Sequence, residues 1–76
     1  MDPTSSRQTP LGSLASDALA QLEAPMQETD GMRQAIARNV LQNQGFTEAE
    51  ADVALTQLLS RGYLYEVNDR LYLTPG

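Results

Sequence analysis

The chain has 76 residues, of which 10 are acidic and 5 are basic, so its formal net charge at pH 7 is −5. All five basic residues are arginines, and the sequence has no Lys, His, Cys or Trp. Without Cys and His there is no thiolate or imidazole ligand for a zinc site, no disulfide and no histidine base. A chain this short forms one small domain, whose core rarely leaves room for a catalytic pocket. We therefore expect no enzyme activity, no cofactor and no metal site.

The sequence predicts no membrane span, and the beginning of the chain predicts no secretory signal. Uninterrupted apolar runs are only two or three residues long, whereas a transmembrane helix needs roughly 20. Residues 1–9 combine Pro, Ser, Thr and Gln without hydrophobic periodicity or an apolar core. We predict a flexible N-terminal tail over 1–9, one domain over 10–76 and, by default, a cytoplasmic location.

The first predicted helix spans residues 10–23. Thr9 and Pro10 supply an N-cap and a proline at the first helical position. Gly12 is a poor helix former, so Ser13 is an alternative start. Pro25 is expected to end the helix. Apolar residues recur at the helical period and form a single stripe of Leu11, Leu14, Ala15, Ala18, Leu19 and Leu22.

The second predicted helix spans residues 30–44. Thr29 or Asp30 can cap its N-terminus, and Gly45 suits the left-handed position that follows a helix C-terminus. The apolar positions form a broad face of Met32, Ala35, Ile36, Ala37, Val40 and Leu41.

The third predicted helix spans residues 47–61 and has the clearest start signal in the chain. Thr47 and Glu50 have the spacing of a capping box, in which each side chain bonds to the backbone N–H of the other residue. Gly62 falls just beyond the helix end. The expected buried stripe consists of Ala51, Leu55, Leu58 and Leu59.

After Gly62 the hydrophobic period changes to two, which predicts a β-hairpin over residues 63–74. Asn68 and Asp69 separate its two strands, and both residue types tolerate the positive φ of a two-residue turn. This turn predicts the cross-strand pairs Val67–Arg70, Tyr65–Tyr72 and Leu64–Leu73. The face with Leu64, Leu71 and Leu73 is expected to cover the helices, leaving outward Tyr63, Tyr65, Val67 and Tyr72.

Three helices followed by a hairpin resemble the winged-helix variant of the helix-turn-helix. The most specific stretch is residues 54–74, in which the family pattern of spaced leucine, glycine, aromatic and threonine positions is filled by Leu58, Gly62, Leu64, Tyr72 and Thr74. The resemblance covers residues 11–74 and implies an α+β fold, a three-helix winged helix-turn-helix with a C-terminal two-stranded β-hairpin wing. Family members often place a short strand between helices one and two, which here could come only from residues 25–28. The predicted core is Leu14, Leu19, Leu22, Ile36, Val40, Leu55, Leu58, Leu59, Leu64, Leu71 and Leu73.

Winged helices are used in two ways, so the fold alone does not decide the function. Many bind DNA through the third helix and the wing, and here that alternative would require a dimer. Its candidate residues are Arg33, Gln57, Arg61 and Arg70. Phosphate binding needs several cations, whereas helix three has Glu50 on its outward face and the whole chain is acidic. Arg70 lies at the wing tip, where a surface ion pair with Glu66 or Asp69 is the simpler interpretation.

Other winged helices dock proteins, and the outward residues favour this use. Tyrosines are enriched in interfaces because they combine apolar area with a polar group. A Tyr65–Tyr72 pair is also explained by hairpin stability alone, but folding does not explain an outward Val53. The predicted interaction residues are Val53, Gln57, Tyr63, Tyr65 and Tyr72. We expect a protein-interaction or regulatory module, monomeric or homodimeric; the alternatives are a dimeric DNA-binding transcription regulator and a structural subunit of a larger assembly.

Overall fold

The computed structural model describes residues 12–75. The fold is α+β, with three helices and a three-stranded antiparallel sheet. The predicted tail over 1–9 and the predicted cap at Thr9 and Pro10 lie outside the described residues. In chain order the elements are α1 (Ser13–Gln27), β1 (Met32–Arg33), α2 (Gln34–Asn43), α3 (Glu48–Ser60), β2 (Leu64–Val67) and β3 (Arg70–Leu73).

Helix α1 differs from its predicted bounds at both ends. It begins at Ser13, the alternative start, with Gly12 as its N-cap. It continues through Pro25 to Gln27, so the prediction that Pro25 ends the helix is wrong. A proline removes one backbone donor from the helix, but the extra turn brings Met26 into the core cluster.

A short strand replaces the predicted first turn of helix two. Met32 and Arg33 pair with Leu71 and Arg70 of β3, which gives the strand order β1-β3-β2. Helix α2 therefore begins at Gln34 and not at residue 30, and the sheet has three strands where two were predicted. The strand between α1 and α2 is also not at residues 25–28, which belong to the end of α1 and the turn after it.

Two glycines end α2 and α3 at the predicted positions. Gly45 follows α2 with a φ of 106°, and Gly62 follows α3 with a φ of 83°. In each case the next residue, Phe46 or Tyr63, donates its N–H to the carbonyl five residues earlier, at 3.0 and 2.9 Å respectively. These bonds are those of the Schellman motif, and both aromatic rings pack against the core as a result.

The local signals at the start of α3 and in the hairpin are confirmed. Thr47 Oγ1 accepts from the Glu50 N–H at 3.0 Å, and the Thr47 N–H donates to the Glu50 carboxylate at 3.0 Å. Asn68 and Asp69 have φ values of 53° and 66°, as a type I′ turn requires. The three predicted cross-strand pairs are those of the sheet.

The core lies between the helices and the inner face of the sheet. Five of its predicted members are at most 2% exposed: Leu22, Leu55, Leu58, Leu64 and Leu71. Five others are partly buried against the same cluster: Leu14, Leu19, Val40, Leu59 and Leu73. The prediction for Ile36 is wrong, because this side chain is 48% exposed. Ala37 and Leu41 form the buried face of α2, and Ile36 lies about 100° around the helix from Ala37.

Candidate functional site

One exposed surface lies on α3, and we call it the α3 surface. It consists of Asp52, Val53, Thr56 and Gln57, which line a shallow cleft of about 300 Å³. These positions lie on one side of the helix because residues four apart are neighbours on a helix surface. Val53 is 47% exposed, so its side chain faces outward as the helical period predicts. Gln57 is half-buried beside it.

The charges around the α3 surface are mostly negative. Glu48 and Glu50 are exposed in the first turn of α3, one turn before the cleft. Arg38 of α2 donates from Nη1 to Asp52 Oδ1 at 3.2 Å, so the charge of this cation is offset within the protein. A phosphate group approaching this face would therefore meet carboxylates and an arginine that already has a partner.

A second exposed surface is the outer face of the sheet, which we call the sheet surface. Tyr65 and Tyr72 are cross-strand partners whose rings stack with centroids 5.3 Å apart and an interplanar angle of 18°. The next row across the sheet is Arg33, Arg70 and Val67, because Arg70 is the register partner of both other residues. Tyr65 and Val67 are both nearly half exposed.

Gly31 gives the sheet surface its shape. Its φ is 91°, and a Cβ built there would lie 2.7 Å from Tyr72 Oη and 2.9 Å from Arg70 Cβ. The absence of a side chain thus lets Tyr72 and Arg70 pack directly against the backbone that leads into β1. Sequence reasoning did not single out Gly31, although Asp30-Gly31 is a dipeptide typical of turns.

Beside the sheet surface is a second cleft, of about 360 Å³, which we call the arginine cleft. Its lining residues are Thr29, Asp30, Gly31, Met32, Arg33, Ile36 and Arg70. Arg70 donates from Nη1 to the Gly31 carbonyl oxygen at 3.5 Å and forms no ion pair with Glu66 or Asp69, so that predicted pair is wrong. Within residues 12–75, neither Arg33 nor Arg70 forms an ion pair with a carboxylate.

The predicted protein-interaction residues lie on different elements. Val53 and Gln57 line the α3 cleft, whereas Tyr65 and Tyr72 pair across β2 and β3, and neither tyrosine lines either cleft. Tyr63 is half-buried and packs against the core, because the end of α3 and not strand alternation sets its position. Of the residues predicted for DNA binding, Arg33 and Arg70 are together in the arginine cleft. Gln57 is on the α3 surface, and Arg61 is the half-buried C-cap of α3.

No helix within residues 12–75 is long and apolar enough to cross a membrane. In the same part of the chain, no group of three or more acidic side chains is arranged to hold a metal ion. No protein-family model matches the chain, and no curated protein or solved structure matches it significantly. We therefore infer function from the geometry of the two surfaces.

Proposed function

We propose that the protein is a small winged-helix module that binds a protein partner through the α3 surface. The element order supports the winged-helix assignment: β1 lies between α1 and α2, and the β2–β3 hairpin follows α3. The observation that carries the proposed function is the 47% exposure of Val53 in the middle of an acidic helix face.

The chemistry of the α3 surface is that of a small interface. Interfaces have apolar anchors at the centre and polar groups at the rim, and a few central side chains provide most of the binding energy. Val53 supplies the apolar centre, while Thr56 and Gln57 offer hydroxyl and amide groups for hydrogen bonds beside it. A regulatory module and a structural subunit of a larger assembly would both use such a surface.

One observation favours the second candidate function, a dimer that binds DNA. Arg33 and Arg70 lie together without carboxylate partners in the described residues, and a dimer would double this charge. The α3 surface opposes this function, because DNA-reading helices present cations and amides to the bases and phosphates. Here Asp52 lines the cleft and Arg38 is paired with it, so we favour a protein partner.

Replacing Val53 by Asp should strongly weaken partner binding without unfolding the domain. Ala20→Asp is the matched control, because Ala20 is an exposed mid-helix residue of α1 and receives the same added charge. The immobilised full chain and both variants would be exposed to extract from the source cells, and retained proteins quantified by mass spectrometry. A partner should be retained by the wild type and by Ala20→Asp, and about tenfold or more weakly by Val53→Asp.

A photo-crosslinking amino acid in place of Gln57 should then link to that same retained protein. Far-UV circular dichroism and thermal melting of each variant report whether the fold is intact. Equal retention by a folded Val53→Asp variant would contradict the proposal. Unfolding of Val53→Asp alone would also contradict it, because Val53 would then act in the core.

A further inference from the structure

We propose that the arginine cleft binds a short acidic peptide segment that carries a large apolar side chain. Arg33 and Arg70 would hold a carboxylate of the peptide, and the exposed Ile36 would contact the apolar side chain. This inference goes beyond the proposed function, because no residue of the α3 surface lines this cleft. Either site can therefore fail in an experiment without the other.

The arginine pair is the first observation behind this site. Arg33 and Arg70 are direct partners across β1 and β3, and like charges in that position destabilise a sheet. The chain has twice as many acidic as basic residues, yet within residues 12–75 neither arginine has a carboxylate partner. A carboxylate bound between the two guanidinium groups would remove their repulsion and form the planar, two-pronged hydrogen bonds that arginine favours.

The start of α2 adds to the positive potential of the cleft. Arg33 is the N-cap of this helix and makes no side-chain cap hydrogen bond, and the first turn contains no acidic residue. The first N–H groups of a helix lack intrahelical partners and favour a nearby negative charge. This contribution supplements the two arginines, which carry the main charge.

The apolar part of the cleft is the second observation. Ile36 is 48% exposed and Met32 is buried, and both line the cleft together with the backbone of Gly31. The volume of about 360 Å³ is at the lower end of the roughly 300–1,000 Å³ of ligand pockets. It suits one or two side chains of an extended segment, which would contact the exposed Ile36.

Charge distribution favours a peptide over a nucleic acid at this site. Asp30 also lines the cleft, and Asp69 directly precedes Arg70 in the hairpin turn. These carboxylates and the net charge of −5 repel a polyanion at short and long range. A peptide needs to place only one or two carboxylates between the arginines while its apolar side chain contacts Ile36.

The test uses the full chain and two capped peptides, acetyl-Gly-Glu-Leu-Glu-Leu-Gly-amide and the same peptide with Gln at both Glu positions. Titration by isothermal calorimetry and by backbone amide NMR should show saturable binding of the Glu peptide, with shifts at Gly31, Arg33 and Ile36. The affinity of the Gln peptide should be lower than that of the Glu peptide by about tenfold or more. Arg33→Gln and Arg70→Gln should each weaken binding of the Glu peptide by about tenfold or more.

Arg38→Gln is the matched control. It removes the same charge from α2, but Arg38 is paired with Asp52 and does not line the cleft, so affinity should change by less than about twofold. Arg33→Gln should leave the melting temperature unchanged or raise it, because it removes a like-charge contact. Val53→Asp should bind the Glu peptide like the wild type, which separates this site from the α3 surface.

Three results would overturn the proposal. The first is no saturable binding of the Glu peptide at about 1 mM, a level that detects even weak complexes. The second is equal binding of the Gln peptide, or an equal loss of affinity in Arg38→Gln. The third is displacement of the Glu peptide by a random-sequence DNA duplex that itself binds more tightly and depends on Arg33, which would assign the cleft to nucleic acid.

Discussion

Leu58→Ala should lower the free energy of unfolding by about 2–5 kcal/mol, the usual cost of a Leu→Ala cavity in a packed core. Leu58 is 0% exposed and belongs to the cluster that joins the helices to the sheet. A domain of this size has a total stability of only about 5 kcal/mol. The variant should therefore retain at most about 3 kcal/mol of stability, as measured by urea denaturation with far-UV circular dichroism, and a loss at the upper end of the range would unfold it at room temperature.

Leu59→Ala is the control for this variant. Leu59 is the next residue of α3 and packs against the same cluster, but it is only partly buried. Its truncation removes the same atoms and should cost less, because part of the side chain is already in water. Equal midpoints for the two variants would show that the burial of α3 is not as described.

Gly31→Ala should destabilise the protein by about 2–6 kcal/mol, since two separate costs apply. The φ of 91° at Gly31 is unfavourable for any residue with a Cβ, at about 1–3 kcal/mol. The new Cβ would also lie 2.9 Å from Arg70 Cβ, as well as against Tyr72. Arg70 Cβ is fixed to the backbone of β3 and cannot move without shifting the strand, and overpacking of this kind costs about 1–3 kcal/mol.

Gly45→Ala separates these two costs. Gly45 also has a positive φ, of 106°, but a Cβ there would have no neighbour within 4 Å. Urea denaturation of Gly45→Ala should therefore show the backbone cost alone, and the difference from Gly31→Ala measures the contact with Tyr72 and Arg70. Equal losses in the two variants would mean that β1 and β3 do not pack closely at Gly31.

The features that the sequence predicted correctly are local ones. The Thr47–Glu50 capping box, the glycines after α2 and α3, and the type I′ turn at Asn68 and Asp69 each depend on residues within one or two turns of each other. Such motifs satisfy their own backbone hydrogen bonds, so their residue types carry enough information to place them.

The features that the sequence missed depend on residues far apart in the chain. Met32 and Ile36 have the four-residue spacing of a helix face, so periodicity assigns both to helix two. Met32 is instead held in β1 by pairing with Leu71, and α2 starts after it with Ile36 exposed. The prediction at Pro25 is wrong for a related reason, since burial of Met26 in the core offsets the lost hydrogen bond.

The same distinction applies to the candidate sites. The exposure of Val53 follows from its place opposite the Leu55 and Leu58 stripe, which the helical period alone reveals. The arginine cleft exists only because β1 sets Arg33 beside Arg70, and no local pattern brings these residues together. The sequence therefore predicted Val53 and Gln57 of the α3 surface, and it named Arg33 and Arg70 as candidates without predicting that they form one cleft.

Titration with a random-sequence DNA duplex at low salt tests most directly whether the protein docks proteins and not DNA. Counterion release makes low salt the most favourable condition for any phosphate contact. With a net charge of −5 and the acidic residues around the α3 surface, we expect no saturable binding at micromolar protein concentrations. Micromolar binding would contradict the account if it fell steeply as salt rises from about 50 to about 200 mM and was lost in Arg33→Ala and Arg70→Ala.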